Sequence, residues 1–114
     1  MQKSDEPREG EIWLVDFDPQ SGREQAGVRP ALVVSNDLYN EAPNNFFIVC
    51  PMTTKDRELR YHIRIDPIDG VLSRTSFIMC EQEKAQDRSR FLKKRGLAPS
   101  GMLDQAREII GEFF

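Results

Sequence analysis

Ser21-Gly22-Arg23-Glu24-Gln25-Ala26-Gly27-Val28-Arg29-Pro30 stands between two apolar runs, Ile12–Phe17 and Ala31–Val34. The flanking runs are short and rich in β-branched and aromatic residues, which pack well on a pleated surface. They read as two strands joined by a polar loop. Glycines in the loop let the backbone take positive φ and come close to a ligand. Pro30 fixes where the second strand starts and biases Arg29 away from the helical region. A polar loop on so rigid a base is the first place to look for binding or chemistry. A solvated hairpin loop, with arginines for solubility, fits the decapeptide equally well at this point.

Working outward, Glu11–Phe17 is a strand ended by Asp18-Pro19, and Ala31–Val34 is a continuous apolar run of the kind buried on both faces. Asp37–Glu41 is expected to form a helical turn, and Phe46–Cys50 a third strand stopped by Pro51. A second polar loop, Met52-Thr53-Thr54-Lys55-Asp56-Arg57, follows at the end of that strand. Tyr61–Ile65 alternates as a half-exposed strand does, Asp69-Gly70 marks a turn, and Ser76–Cys80 is another buried run. The charged stretch from Glu83 to Arg95 reads as a solvated face. A helix is predicted from Pro99 onward, with Met102, Leu103, Ala106, Ile109, Ile110, Phe113 and Phe114 on one face and Gly101 weakening its first turn. Short strands with one terminal helix predict an α+β chain that is mainly β: a small, strongly bent antiparallel sheet or partly open barrel.

The organisation is a polar lead-in over residues 1–9 and a single domain over 10–114, long enough to bury a core. Hydrophobic residues at 39% and charged residues at 31% argue against a disordered chain. At a net charge of -3, a nucleic-acid binder must concentrate its arginines locally. Cys50 and Cys80 each lie in an apolar run and read as small buried hydrophobes. The polar N-terminus has no apolar signal core, and no stretch approaches the length of a membrane span, so the expectation is a cytoplasmic protein without membrane contact.

Elimination narrows the chemistry. Carboxylates are scattered singly, and one His cannot anchor a zinc site, so no metal and no cofactor is expected. That one His, His62, sits in the alternating strand with no cue for a nucleophile elbow and reads as a strand-face residue. A pair of catalytic histidines is excluded by the count. What remains is Arg23, Glu24 and Arg29 from the first loop, with Thr53, Thr54, Lys55 and Arg57 from the second. Guanidinium forks and hydroxyls bind phosphate. Such a set suits a phosphodiester whose charge grows in the transition state, and RNA brings its own nucleophile in the 2′-hydroxyl.

Gly10-Glu11-Ile12-Trp13-Leu14-Val15-Asp16-Phe17-Asp18-Pro19, Gly22 through Ser35, Pro51-Met52-Thr53-Thr54 and Phe77-Ile78-Met79-Cys80-Glu81-Gln82 closely resemble the MazF/PemK toxins, the endoribonuclease halves of toxin–antitoxin pairs. The resemblance implies an SH3-like barrel of the MazF/CcdB type with a C-terminal helix, and a homodimer. It implies metal-independent cleavage of single-stranded mRNA at short sequences, leaving a 2′,3′-cyclic phosphate and a 5′-hydroxyl. It places the catalytic arginine on Arg29 and the catalytic threonine on Thr53, with Thr54 the other hydroxyl, and matches Glu24 to an acid that matters in some members. Arg23 departs from the small or polar residue frequent there.

An arginine pKa above about 12 makes Arg29 a stabiliser of the phosphorane rather than a base. Glu24 is the candidate acceptor of the 2′-hydroxyl proton, or else a salt-bridge brace for Arg23 or Arg29. Phe17, Gln25, Asn36, Glu81 and Gln82 lie at strand ends and are candidate base readers, with Thr54 and Lys55 as further substrate contacts. Arg23, Arg29, Lys55 and Arg57 would form a local cationic groove. The implied partner is an acidic, partly disordered antitoxin of the MazE type. Two other functions stay open at this stage: a CcdB-like gyrase inhibitor on the same fold, and a plain RNA-binding regulator.

Overall fold

The computed structural model describes residues 6–17 and 27–114. β1 (Glu11–Phe17) and β2 (Gly27–Val33) pair antiparallel from Ile12 opposite Leu32 to Phe17 opposite Gly27. The second strand starts earlier than the apolar run does. Its first residues, Gly27 to Pro30, pair with β1 alone, and proline is tolerated on a segment with one neighbour. α1 (Asp37–Asn40) is a single turn whose amide at Tyr39 is capped by the Asn36 side chain at 2.8 Å.

β3 (Phe46–Thr53) runs through Pro51, where the sequence predicted a stop. On one side it pairs with β2, Ala31 opposite Pro51. On the other side its first half pairs with β6 (Lys84–Asp87) and its end with β5 (Ser76–Met79). Cys50 and Pro51 fall in the gap between those two ladders, where a turn of 3-10 helix at Cys80–Gln82 interrupts the neighbour. A residue without an N–H fits there because that side has no ladder to complete.

β4 (His62–Ile65) adds outside β5, and β7 (Phe91–Leu97) adds outside β1. The path is β4-β5-β3-β2-β1-β7 with β6 alongside β3, all of it antiparallel. Its end strands do not pair with one another, so the sheet is strongly bent and open rather than a closed barrel. The charged stretch after Glu83 is therefore strand as well as surface: Gln86 and Phe91 are its buried anchors, while Lys93 and Lys94 stay exposed.

Alternation along β1–β3 divides the apolar residues between two cores. Trp13, Val15, Phe17, Ala31, Val33, Phe47, Val49 and Phe91 form one, with Phe91 edge-on to both Trp13 and Phe47. Ile12, Leu32, Cys50, Met52, Ile63, Ile65 and Ile78 lie on the opposite face. Against them packs α2 (Met102–Gly111) through Met102, Leu103, Ala106, Ile109 and Ile110. Gly101 precedes this helix as its N-cap at φ 88°, a left-handed conformation that glycine adopts without strain, so it starts the helix instead of weakening it. Phe113 and Phe114 project past the helix and are exposed.

Candidate active site

Register assembles the site. Thr53 is opposite Phe77 of β5, and Phe77 is opposite Arg64 of β4, which makes a row across three strands on one face of the sheet. The β2–β3 ladder ends at Ala31 opposite Pro51, and just beyond it the Arg29 side chain reaches the β2 end of that row, at the Met52 carbonyl next to Thr53. The guanidinium of Arg29 is held in place, with Nη1 donating to the Met52 carbonyl at 3.2 Å. A fixed guanidinium beside a hydroxyl can bind one phosphate without reorganising at the moment of reaction.

Thr53 is buried, and its hydroxyl oxygen accepts the Lys55 amide at 3.2 Å. Because that oxygen accepts, its own O–H remains to donate, and the turn it braces sends Thr54 and Lys55 into solvent. A cleft of about 290 Å³ opens on the opposite face of the sheet, lined by Leu14, Pro30 and Met52 with Arg74 and Arg95, and Thr53 and Thr54 reach its edge at the end of β3.

Arg74 and Arg95 are cleft residues that the sequence reading missed. Arg95 lay in the charged stretch taken as surface, yet its Nε donates to the Val71 carbonyl at 3.2 Å. A larger cavity of about 490 Å³ opens at the other end of β3, beside Phe47. Glu6, Asp37 and Glu41 on its walls outnumber Arg8 and give it a net negative lining, the wrong sign for a phosphodiester.

Other sequence-predicted residues fall elsewhere. Phe17 is wholly buried on the core face with Trp13 and Val15, which leaves no ring face for a base to stack on. Asn36 lies past the far end of β2 from Arg29 and spends its side chain capping α1. Glu81 and Gln82 follow β5 directly and are half-buried, with Gln82 Nε2 donating to Glu81 Oε2 at 3.4 Å. The same oxygen lies 3.0 Å from Nε2 of His62. Arg57 is exposed. Arg23, Glu24 and Gln25 lie outside the described residues. Cys50 and Cys80 are buried thiols, both pushed up by burial first, Cys80 to about 12 with the Glu81 and Glu83 carboxylates adding to it.

A bent antiparallel sheet with a C-terminal helix, carrying an arginine beside a buried threonine, defines a class of small α+β proteins. Comparison with known proteins makes the class particular. Residues 8–114 match the family described as PemK-like, MazF-like toxin of type II toxin–antitoxin system. The chain is 30% identical over 104 residues to the endoribonuclease EndoA of Bacillus subtilis, covering 90% of each chain. It is 38% identical over 95 residues to the endoribonuclease PemK of Escherichia coli, covering 82% of this chain and 67% of that one. The crystal structure of MazF (form I) from Deinococcus radiodurans superposes with a TM-score of 0.82 at 28% identity, covering 95% of this chain and 96% of that one. The chain belongs to the PemK/MazF toxin family and has its fold.

Proposed function

We propose that the chain is the toxin enzyme of a type II toxin–antitoxin pair: a metal-independent, sequence-specific endoribonuclease acting on single-stranded mRNA. The observation that supports this reading is Arg29 beside Thr53, with Nη1 of the guanidinium donating to the Met52 carbonyl at 3.2 Å. A scissile phosphate seated there receives two non-bridging contacts, one from the Arg29 fork and one from the Thr53 hydroxyl. The 2′-hydroxyl of the preceding ribose attacks phosphorus and gives its proton to a carboxylate, for which Glu24 is the candidate. The P–O5′ bond breaks, and the 5′-oxygen leaves with a proton from a nearby donor, Arg29 at most assisting. The products are a 2′,3′-cyclic phosphate and a 5′-hydroxyl. Charge on the phosphorane is met by Arg29, with the exposed Lys55 and Arg57 beyond the turn guiding the strand.

Glu81, Gln82, Thr54, Lys55 and Gln25 complete the proposed RNA contacts. The proposed assembly is a homodimer in the cytoplasm, silenced by an acidic, MazE-like antitoxin. Among the described residues no helix is long and apolar enough to cross a membrane. A gyrase-binding role draws no support from the relatives, which are named as endoribonucleases.

The test is incubation of the purified protein with a long RNA in EDTA, with mapping of the ends. The expected result is cleavage at a short motif, leaving cyclic phosphates and 5′-hydroxyls. Intact RNA after prolonged incubation, or cutting that requires added metal, overturns the proposal.

A further inference from the structure

His62, read from the sequence as a strand-face residue, sits in an arrangement that such a role does not explain. Its side chain is 2% exposed although β4 is an end strand of the sheet. Nε2 lies 3.0 Å from Glu81 Oε2, and the Tyr61 ring stands edge-on to the imidazole at 5.6 Å. Tyr61 in turn meets Phe113 beyond the end of α2 at 5.8 Å, so the imidazole is fixed on two sides. Only Nε2–H can satisfy the carboxylate, which sets the tautomer of the neutral ring and leaves Nδ1 as the other ring nitrogen. Nδ1 and Glu81 Oε1 are both buried with no hydrogen-bond partner among the described residues. The Glu81 side chain is itself 27% exposed, so a buried imidazole holds a carboxylate that still faces solvent.

The position of His62 in the sheet relates this pair to the site. His62 is opposite Met79, two residues along β5 from the Phe77 that faces Thr53. Alternation puts His62 on the same face as Thr53 and Arg29, one row over. Two strands across and two residues along amount to roughly 12 Å from ordinary sheet spacings, a span that an adjoining nucleotide of an extended strand bridges.

We infer that His62 is a positioning residue for sequence recognition: it holds the Glu81 carboxylate, and through it the Gln82 amide, as the reader of a base next to the scissile phosphate. Gln82 spends one N–H on Glu81 Oε2, which leaves its other N–H and its carbonyl oxygen as a donor–acceptor pair. That pair matches a base edge offering one acceptor beside one N–H donor, and which base it selects depends on the orientation in which the amide is held. Without the imidazole, Glu81 swings to water, and the amide loses the contact that chooses its orientation.

This inference rests on the endoribonuclease reading and is tested within it. Cleavage of a matched RNA and of its single-base variants is measured for the wild type, His62→Phe, His62→Gln and Glu81→Gln, each checked for folding by thermal melting. In His62→Phe, discrimination at one base position is expected to fall about tenfold, the scale of one lost base contact. The loss should appear mainly as a raised KM for the preferred RNA, with kcat changed less. His62→Gln, which keeps a donor, is expected to retain most of the discrimination, and Glu81→Gln to lose it as His62→Phe does. If His62→Phe does not fold, the contrast between His62→Gln and Glu81→Gln decides.

A wild-type cleavage profile in folded His62→Phe or in Glu81→Gln overturns the inference. So does an equal fall in kcat on every sequence. Those results leave the endoribonuclease reading intact, whereas a wild-type protein that cuts no RNA overturns that reading first.

Discussion

Replacing Arg29 tests the site directly, because its guanidinium meets the Met52 carbonyl beside Thr53. That contact is one hydrogen bond, from Nη1 to the carbonyl oxygen at 3.2 Å. Losing it costs about 1 kcal/mol of stability, a melting shift of roughly 4–8 °C for a domain near this size. The catalytic loss is larger. Removing one preorganised donor to a developing oxyanion lowers the rate by about 10²–10³, and Arg29→Ala should fall in or below that range. Arg29→Lys keeps the charge but cannot hold the Met52 carbonyl and present a planar fork together. Loss of one charge-assisted hydrogen bond, about 1.5–3 kcal/mol, makes that variant slower by roughly 10- to 150-fold at ~1.4 kcal/mol per tenfold. The assay is single-turnover cleavage of a labelled oligonucleotide in EDTA, run beside thermal melting. Arg29→Ala cutting within about threefold of wild type would refute the role, since no preorganised donor contributes so little.

Thr53→Val loses the hydroxyl that accepts the Lys55 amide and should melt below wild type by about as much as Arg29→Ala, while cleaving about a hundredfold more slowly, on the same scale of one lost donor, with Thr53→Ser recovering most of both; equal rates for Val and wild type would move the role to Thr54. The buried thiols make stability fall in alkali: an unfolded thiol ionises near its ordinary 9.0, whereas folded Cys80 keeps its proton to about 12. Urea midpoints should therefore decline above about pH 9 as the unfolded chain releases protons that the fold retains, and Cys80→Ala should flatten that decline. Gly96→Ala would set a Cβ 2.6 Å from Val71 Cγ2, an overpacking that costs about 1–3 kcal/mol. Adding Val71→Ala should return part of the loss, and a double variant no more stable than Gly96→Ala alone would show that the strain lies in the backbone.

β1 was legible because its composition is undisguised: Ile12, Trp13, Val15 and Phe17 are β-branched or aromatic, and all four are buried. β6 and β7 were hidden because their buried anchors, Gln86 and Phe91, are separated by charged residues that carry no period. Pro51 looked like a stop because its tolerance depends on a gap in the neighbouring ladder, set by the turn at Cys80–Gln82 some thirty residues later in the chain. The site divides along the same line. Arg29 and Thr53 belonged to a wider set with Arg23, Glu24, Thr54, Lys55 and Arg57 that suits phosphate chemistry, and the family resemblance picked the two out of it. Phe17 was misplaced because position at a strand end says nothing about which face a side chain takes; its parity with Trp13 and Val15 does. His62 gave no signal, since its partner Glu81 is brought to it only by the β4–β5 register and the bend that follows β5. Residue type is written locally and can be read from one strand at a time. A cross-strand row depends on several registers holding together, which is why the meeting of Arg29 with the row at Thr53 becomes visible only once the sheet is assembled.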